Sequence, residues 1–209
     1  MKYIFIHGIG QDSSVWNETV SSIKKPNQIE MPDLFALING KDSTYDNLYR
    51  AFSDYCGTFS EPLNLCGLSP GGVLALNYAI DNPDKMQSLV LIGTQYKMPR
   101  LMLKIQNIIF KIMPQSVFKK NGFEKEEFLK IFLALTGTML DLDFSENLKE
   151  ISCRTLIICG DKDTANKKSA QYLSRNIPNA EYQILKNTGH EVNVNSPKEL
   201  AEALEAFYI

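Results

Sequence analysis

Histidine occurs only twice in this chain of 209 residues, at His7 and His190, and the two are not spaced as a metal pair. That scarcity argues against a zinc or non-haem iron site, and no cofactor is implied. The four cysteines, Cys56, Cys66, Cys153 and Cys159, form no CxxC pair. Cys66 and Cys159 fall inside apolar runs, so they read as small hydrophobes in a reducing compartment. The formal net charge is −2, which lacks the footprint expected of a nucleic-acid binder or of a basic block facing anionic lipid. No apolar stretch approaches the ~18 residues that a membrane span requires. The apolar start, Met1–Ile6, is too short for a signal peptide and lacks a small-residue cleavage site, so it reads as a strand. The expectation is a cytoplasmic protein with a small-molecule partner, no nucleic acid and no membrane; the oligomeric state stays open.

What is present is ordinary for a globular domain: 44 % hydrophobic and 22 % charged residues. A chain of this length buries roughly 70 % of its unfolded surface and needs no disulfide to hold together. Strand-like runs occur at Tyr3–Ile6, Gln28–Met31, Leu63–Cys66, Ser88–Ile92, Thr155–Cys159 and Glu181–Leu185. Helical spacing fills Tyr45–Phe59, Gly71–Ile80, Asn166–Asn176 and Pro197–Tyr208. This alternation implies crossover connections, hence an α/β fold with a mostly parallel sheet of about six strands and helices on both faces. Several strands are rich in Ile, Leu and Val rather than alternating, as a sheet buried on both sides demands. The whole of 1–209 reads as one domain.

From about Tyr96 to Asn147 the rhythm breaks and only helical patterns remain. Met98, Leu101, Met102, Ile105, Ile108, Ile109 and Ile112 recur at steps of three and four, and Phe128, Leu129, Phe132, Leu133 and Leu135 mark a second helix. This is an insertion of two helices or more, holding four of the seven methionines. Two readings stay open: helices packed like any others, or a lid whose apolar underside touches a ligand.

The strongest local signal is Leu63-Asn64-Leu65-Cys66-Gly67-Leu68-Ser69-Pro70-Gly71-Gly72. An apolar strand runs into G-x-S-x-G and then into a helical pattern. A serine hydroxyl is a weak nucleophile and must be presented at a sharp strand-to-helix turn. Gly67 and Gly71 flank Ser69 because side chains there would collide. The following helix N-terminus offers partial positive charge to a developing oxyanion.

Here the chain resembles the α/β-hydrolase superfamily. Ile4-Phe5-Ile6-His7-Gly8-Ile9-Gly10 is similar to that family's strand and HG-x-G oxyanion loop, and Asn82–Gly93 to the helix end and strand after the nucleophile helix. Thr155-Leu156-Ile157-Ile158-Cys159-Gly160-Asp161-Lys162-Asp163 resembles the strand whose G-x-x-D ending supplies an acid, and Asn187-Thr188-Gly189-His190 the turn that carries a base. Relatives commonly have two further strands ahead of the first one here. The resemblance implies Ser69 as nucleophile, Asp163 as acid and His190 as base, in the order associated with this fold. Asp161, directly after Gly160, is a rival acid. It further implies a structural role for His7, an oxyanion donor in the Ile9 N–H with Gly10 permitting close approach, and Trp16 packed beneath the loop or stacking on substrate. The implied reaction is hydrolysis of a small ester, thioester or related acyl compound through an acyl-Ser69 intermediate.

The residue after the serine departs from the pattern. In this fold its backbone N–H is normally an oxyanion donor, and Pro70 has none. Three readings follow: an esterase using Ile9 with Gln11 or the Gly71 N–H as substitute, a lyase or carbon–carbon bond hydrolase with less oxyanion charge, or a non-catalytic binder on the same scaffold.

Overall fold

The computed structural model describes residues 1–23, 28–38, 40–120 and 124–208. Its six strands are β1 (Lys2–Ile6), β2 (Ile29–Glu30), β3 (Leu63–Leu68), β4 (Met86–Ile92), β5 (Arg154–Gly160) and β6 (Glu181–Leu185). They form one sheet, parallel throughout, in the order β2-β1-β3-β4-β5-β6. The run Gln28–Met31 contributes only its middle to the sheet, while β3 continues through Gly67 and Leu68 to the edge of the serine turn.

Side-chain alternation sorts the strands into two cores. Ile4, Ile6, Leu63, Leu65, Leu89, Leu91, Ile157 and Cys159 face one side, and Phe5, Cys66, Leu68, Val90, Ile92, Leu156 and Ile158 the other. Both sets are buried, which is why these strands read as continuous apolar runs. The first face is covered by α3 (Tyr45–Gly57), α4 (Pro70–Asp81) and α8 (Lys167–Asn176); the second by α1 (Asn17–Ser22) and α10 (Pro197–Tyr208). In α3, Tyr45, Leu48, Phe52 and Cys56 give a single buried stripe, and the Thr44 hydroxyl caps the first turn by accepting from Asn47 N–H. Helix α4 is instead apolar nearly all round, and Gly71 through Leu76 are buried without a break. Short helices α2 (Leu34–Leu37) and α9 (Val192–Asn195) complete the frame.

Between β4 and β5 lie three helices, α5 (Arg100–Ile112), α6 (Gln115–Lys120) and α7 (Lys125–Met139). The ends of this insertion are clasped together. Met98 N–H donates to Leu142 O at 3.1 Å, Phe144 N–H to Tyr96 O at 2.9 Å, and Lys97 pairs with Asp143 at 2.6 Å. An antiparallel bridge, Lys97 to Asp143, thus occurs where only helix was expected. The insertion has its own aromatic centre: Phe110 of α5 meets Phe128 and Phe132 of α7 edge-on at 5.3 and 4.9 Å, and Phe118 of α6 lies 5.2 Å from Phe128.

Helix α5 splits the expected apolar stripe: Met98, just ahead of it, is buried and Ile105 and Ile109 border the cavity, yet much of the stripe stays open to solvent. Leu101, Ile105, Ile108, Ile109 and Ile112 are exposed, and Phe110 occupies the inner face. The Met102 side chain lies outside the described set.

Leu74 is fully buried between α4 and the sheet. Leu74→Ala is expected to cost about 2–5 kcal/mol and, at roughly 2–4 °C per kcal/mol for a chain of this size, to lower the calorimetric midpoint well beyond Val194→Ala. The latter removes methyls from a side chain 52 % exposed and should change stability by no more than about 0.5 kcal/mol.

Candidate active site

The strand order reverses beside β1, which lies between β2 and β3. Open parallel sheets have their binding crevice at such a point, outside the strand C-termini. Four segments with chemical potential leave the sheet on that edge: His7–Gln11 after β1, Ser69 after β3, Gly93 after β4 and Asp161–Asp163 after β5. The loop ending at His190, after β6, joins them there.

Ser69 sits at the strand-to-helix turn with φ 56° and ψ −121°, a conformation costly for a residue with a Cβ. Its N–H donates to Ile92 O at 2.9 Å, and its carbonyl accepts from Val73 N–H at 3.1 Å. The turn closes only because its flanks carry no side chains. A Cβ on Gly67 would lie 2.4 Å from Gly71 O, and one on Gly71 would lie 2.6 Å from the carbonyls of both Ile6 and His7.

The structure brings Asp163 and His190 together, with His190 Nδ1 2.8 Å from Asp163 Oδ2. A carboxylate only accepts, so Nδ1 carries a proton, which in the neutral ring leaves the lone pair on Nε2. Asp161 stands apart: its carboxylate accepts Thr188 N–H at 3.0 Å, and backbone donors from Asn187 and Thr188 hold it below the usual range. It braces the loop that delivers His190. Burial alone would raise the Asp163 carboxyl, but the hydrogen bond and charge of His190, joined by the Asn166 amide and backbone, outweigh it and bring Asp163 below the usual range.

Ser69 and His190 line the same cavity, of about 390 Å³. The Ser69 hydroxyl makes no hydrogen bond among the described residues, so serine and imidazole share a wall without being linked. Such contacts commonly tighten only around bound substrate. Ile9 and Pro70 border the same space; Met98, Leu103, Phe132, Leu135 and Met139 supply apolar walls, and Gln95, Gln106 and Thr136 polar points. That volume and mixture suit a small, largely apolar molecule.

The Ile9 N–H has no partner among the described residues. Gly10, at φ 74°, is covered by the Phe128 ring of α7. The Gln11 side chain, one proposed substitute for the missing Pro70 donor, is committed elsewhere. Gln11 is 8 % exposed and fully engaged: Oε1 accepts from Gly8 N–H and Asn193 Nδ2, while Nε2 donates to Glu191 and Asn193. It ties the loop after β1 to the segment after His190 and does not line the cavity. Gly71 is packed against β1 and also lies off the cavity wall.

His7 is fully buried and bonded at both ring nitrogens. Nε2 accepts Leu34 N–H at 3.0 Å, so the proton sits on Nδ1, 2.9 Å from Gly8 O. Burial pushes its pKa below 6.5 despite the raising effects of Gly8 O and Asp33. Trp16, equally buried, packs edge-on against Phe5 at 5.3 Å in the opposite core, away from the cavity. The described residues bring together no group of three or more His, Cys, Asp or Glu able to hold a metal.

Sequence reading missed the contributions of Asn166, Gln95 and Gly93. Asn166, read only as a helix start, places Nδ2 2.9 Å from both Asp163 oxygens and 3.1 Å from His190 Nδ1. Gln95 Nε2 donates to Asn166 Oδ1 at 2.8 Å and so fixes which way that amide points. Gly93 leaves room for the imidazole: a Cβ there would lie 2.9 Å from its Cε1 and Nδ1. A polar residue three positions after the acid was the one available sign of Asn166; nothing local marked Gly93.

Comparison with known proteins agrees with this fold. The model of the Alpha/beta hydrolase family matches residues 3–203. The chain is 27 % identical over 222 residues to a pimeloyl-[acyl-carrier protein] methyl ester esterase of Legionella pneumophila, covering 91 % of this chain and 87 % of that one. It is 23 % identical to monoacylglycerol lipase abhd6-B of Xenopus laevis, covering 98 % and 74 %. Among solved structures, MenH from S. aureus superposes with a TM-score of 0.79 at 18 % identity, covering 99 % and 92 %.

Because folding depresses the His7 pKa below 6.5, the unfolded chain binds the extra proton first. His7 therefore leaves stability unchanged above about pH 6.5 and subtracts from it as pH falls toward the depressed folded value. Urea midpoints measured from pH 7.5 to 5 should decline more steeply for the native protein than for His7→Gln, which starts lower. Equal slopes would show that His7 is not the group responsible.

Proposed function

Because the chain belongs to the alpha/beta hydrolase family, we propose that it hydrolyses a small ester or thioester with an apolar acyl group through an acyl-Ser69 intermediate. The observation that carries this reading is the cavity that Ser69, His190 and Ile9 line together, with the imidazole held by Asp163. His190 Nε2 takes the Ser69 proton as Oγ attacks the acyl carbon, and the resulting imidazolium is stabilised by Asp163. The same proton then goes to the leaving alcohol or thiol. Water, deprotonated by His190, releases the acid and regenerates the serine. Asn166, fixed by Gln95, keeps both carboxylate oxygens occupied so that Asp163 holds one orientation. Helices α5 to α7 act as a lid, with Phe132, Leu135 and Met139 against the acyl chain. The esterase and lipase names of the relatives support ester cleavage as the reaction class.

The oxyanion site is the weak part of this machinery. Ile9 supplies an N–H, and Pro70 borders the cavity without one. Losing such a donor typically costs about 2.7–4 kcal/mol, or 10²–10³ in turnover. The deficit favours, as a second reading, a reaction on the same triad with less charge on oxygen, such as carbon–carbon cleavage of a diketone.

A fluorophosphonate probe should label the native protein and not Ser69→Ala. Asp163→Asn should lower turnover of p-nitrophenyl butyrate by roughly 10⁴, whereas Asp161→Asn, if folded, should retain most activity. Pro70→Ala restores an N–H and should raise that turnover by about tenfold or more. No labelling and no ester turnover would remove the hydrolase reading, and diketones cleaved faster than esters would install the second one.

A further inference from the structure

Helix α5 is amphipathic with its apolar face outward. Leu101, Ile105, Ile108 and Ile112 follow the spacing of one helical face and are 73, 50, 61 and 76 % exposed. The inner face is occupied by Phe110, within the aromatic centre of the insertion, and by Leu103 on the cavity wall. Burying a stripe of large aliphatics is the usual reason for a helix to have one. Here the protein buries the other side. An aliphatic ridge of this kind on a water-exposed helix marks a contact surface.

Charge identifies what the surface fits. From Lys97 to Lys120 the sequence carries six basic residues and no acidic one, in a chain whose net charge is −2. Lys97 and Arg100 are paired with Asp143 and Asp141. Lys104 and Lys111, which share one flank of the ridge, have no ion-pair partner among the described residues. Whole-chain balance hid this segment from the expectation that no lipid surface is engaged. A second copy packed ridge to ridge would bring these lysines toward their own images, which like-charge repulsion opposes.

We infer that the outer face of α5 docks on an anionic lipid bilayer. At 1.5 Å per residue its 13 residues span roughly 20 Å, and the helix lies flat with Leu101, Ile108 and Ile112 among the acyl chains and the lysines at the headgroups. No helix among the described residues is long and apolar enough to cross a membrane, so the contact is peripheral. Ile105 and Ile109 belong both to this face and to the cavity wall, so docking sets the cavity mouth against the lipid. Binding does not depend on the Ser69 reaction, and Ser69→Ala docks as the native protein does.

Co-sedimentation tests this with vesicles of phosphatidylcholine alone and of phosphatidylcholine with phosphatidylglycerol. The native protein is expected to pellet with the anionic vesicles and to be released by high salt. Leu101→Ser/Ile108→Ser/Ile112→Ser and, separately, Lys104→Glu/Lys111→Glu should each weaken that binding by roughly tenfold or more, with thermal midpoint and turnover of a soluble short-chain ester retained. Absence of binding to anionic vesicles, or binding that both variants leave unchanged, overturns the inference. So does a dimer in size-exclusion chromatography that the triple serine variant dissociates while vesicles capture nothing, since the ridge would then be covered by a second copy.

Discussion

Backbone passes backbone at the rim of this sheet at distances that leave no room for a side chain, and the geometry of the site depends on that. The serine turn folds back against β1 only because Gly67 and Gly71 lack a Cβ. The loop that carries His190 lies against β5 only because a Cβ on Gly160 would stand 2.3 Å from the carbonyls of Thr188 and Gly189. Gly93 then leaves the imidazole its place beside Asp163. Hydrogen bonds finish what close packing begins: they fix which nitrogen of His190 holds a proton and which way the Asn166 amide faces.

Two polar clamps divide the work around this rim. Gln11 joins the loop after β1 to Glu191 and Asn193, on the segment after His190. Buried His7 joins the same loop to α2 through Leu34 N–H. Ile9, whose N–H has no partner among the described residues, and Pro70, which has no N–H, both border the cavity. The rim therefore combines a well-held acid–imidazole pair with a cavity wall at Ile9 and Pro70 that offers few backbone donors.

The insertion obeys a different logic from the sheet. Its aromatic centre and its clasp at Tyr96–Met98 and Leu142–Phe144 let it stand as a small unit over the cavity. Helix α7 gives its buried side to the frame and the cavity, whereas α5 lends Leu103, Ile105 and Ile109 to the cavity wall and leaves Leu101, Ile108 and Ile112 to solvent. Ile105 and Ile109 are thus cavity wall and outer surface at once.

Much of this was legible in the chain itself. Alternating apolar runs announced a parallel sheet covered on both faces, because a strand buried on both sides can hold little else. The glycine–serine turn, the G-x-x-D ending and the glycine–histidine turn announced their positions because each needs special backbone geometry that few residues tolerate. Periodicity likewise revealed α5, yet periodicity says only that a helix has two faces, not which one finds a partner. That choice, the role of Asp161 as a brace, the engagement of Gln11 and the placement of Asn166 and Gly93 were decided by tertiary structure alone. Each depends on atoms from segments distant along the chain, such as Asp163 and His190, 27 positions apart, and no local pattern encodes what a side chain meets only after the sheet has closed.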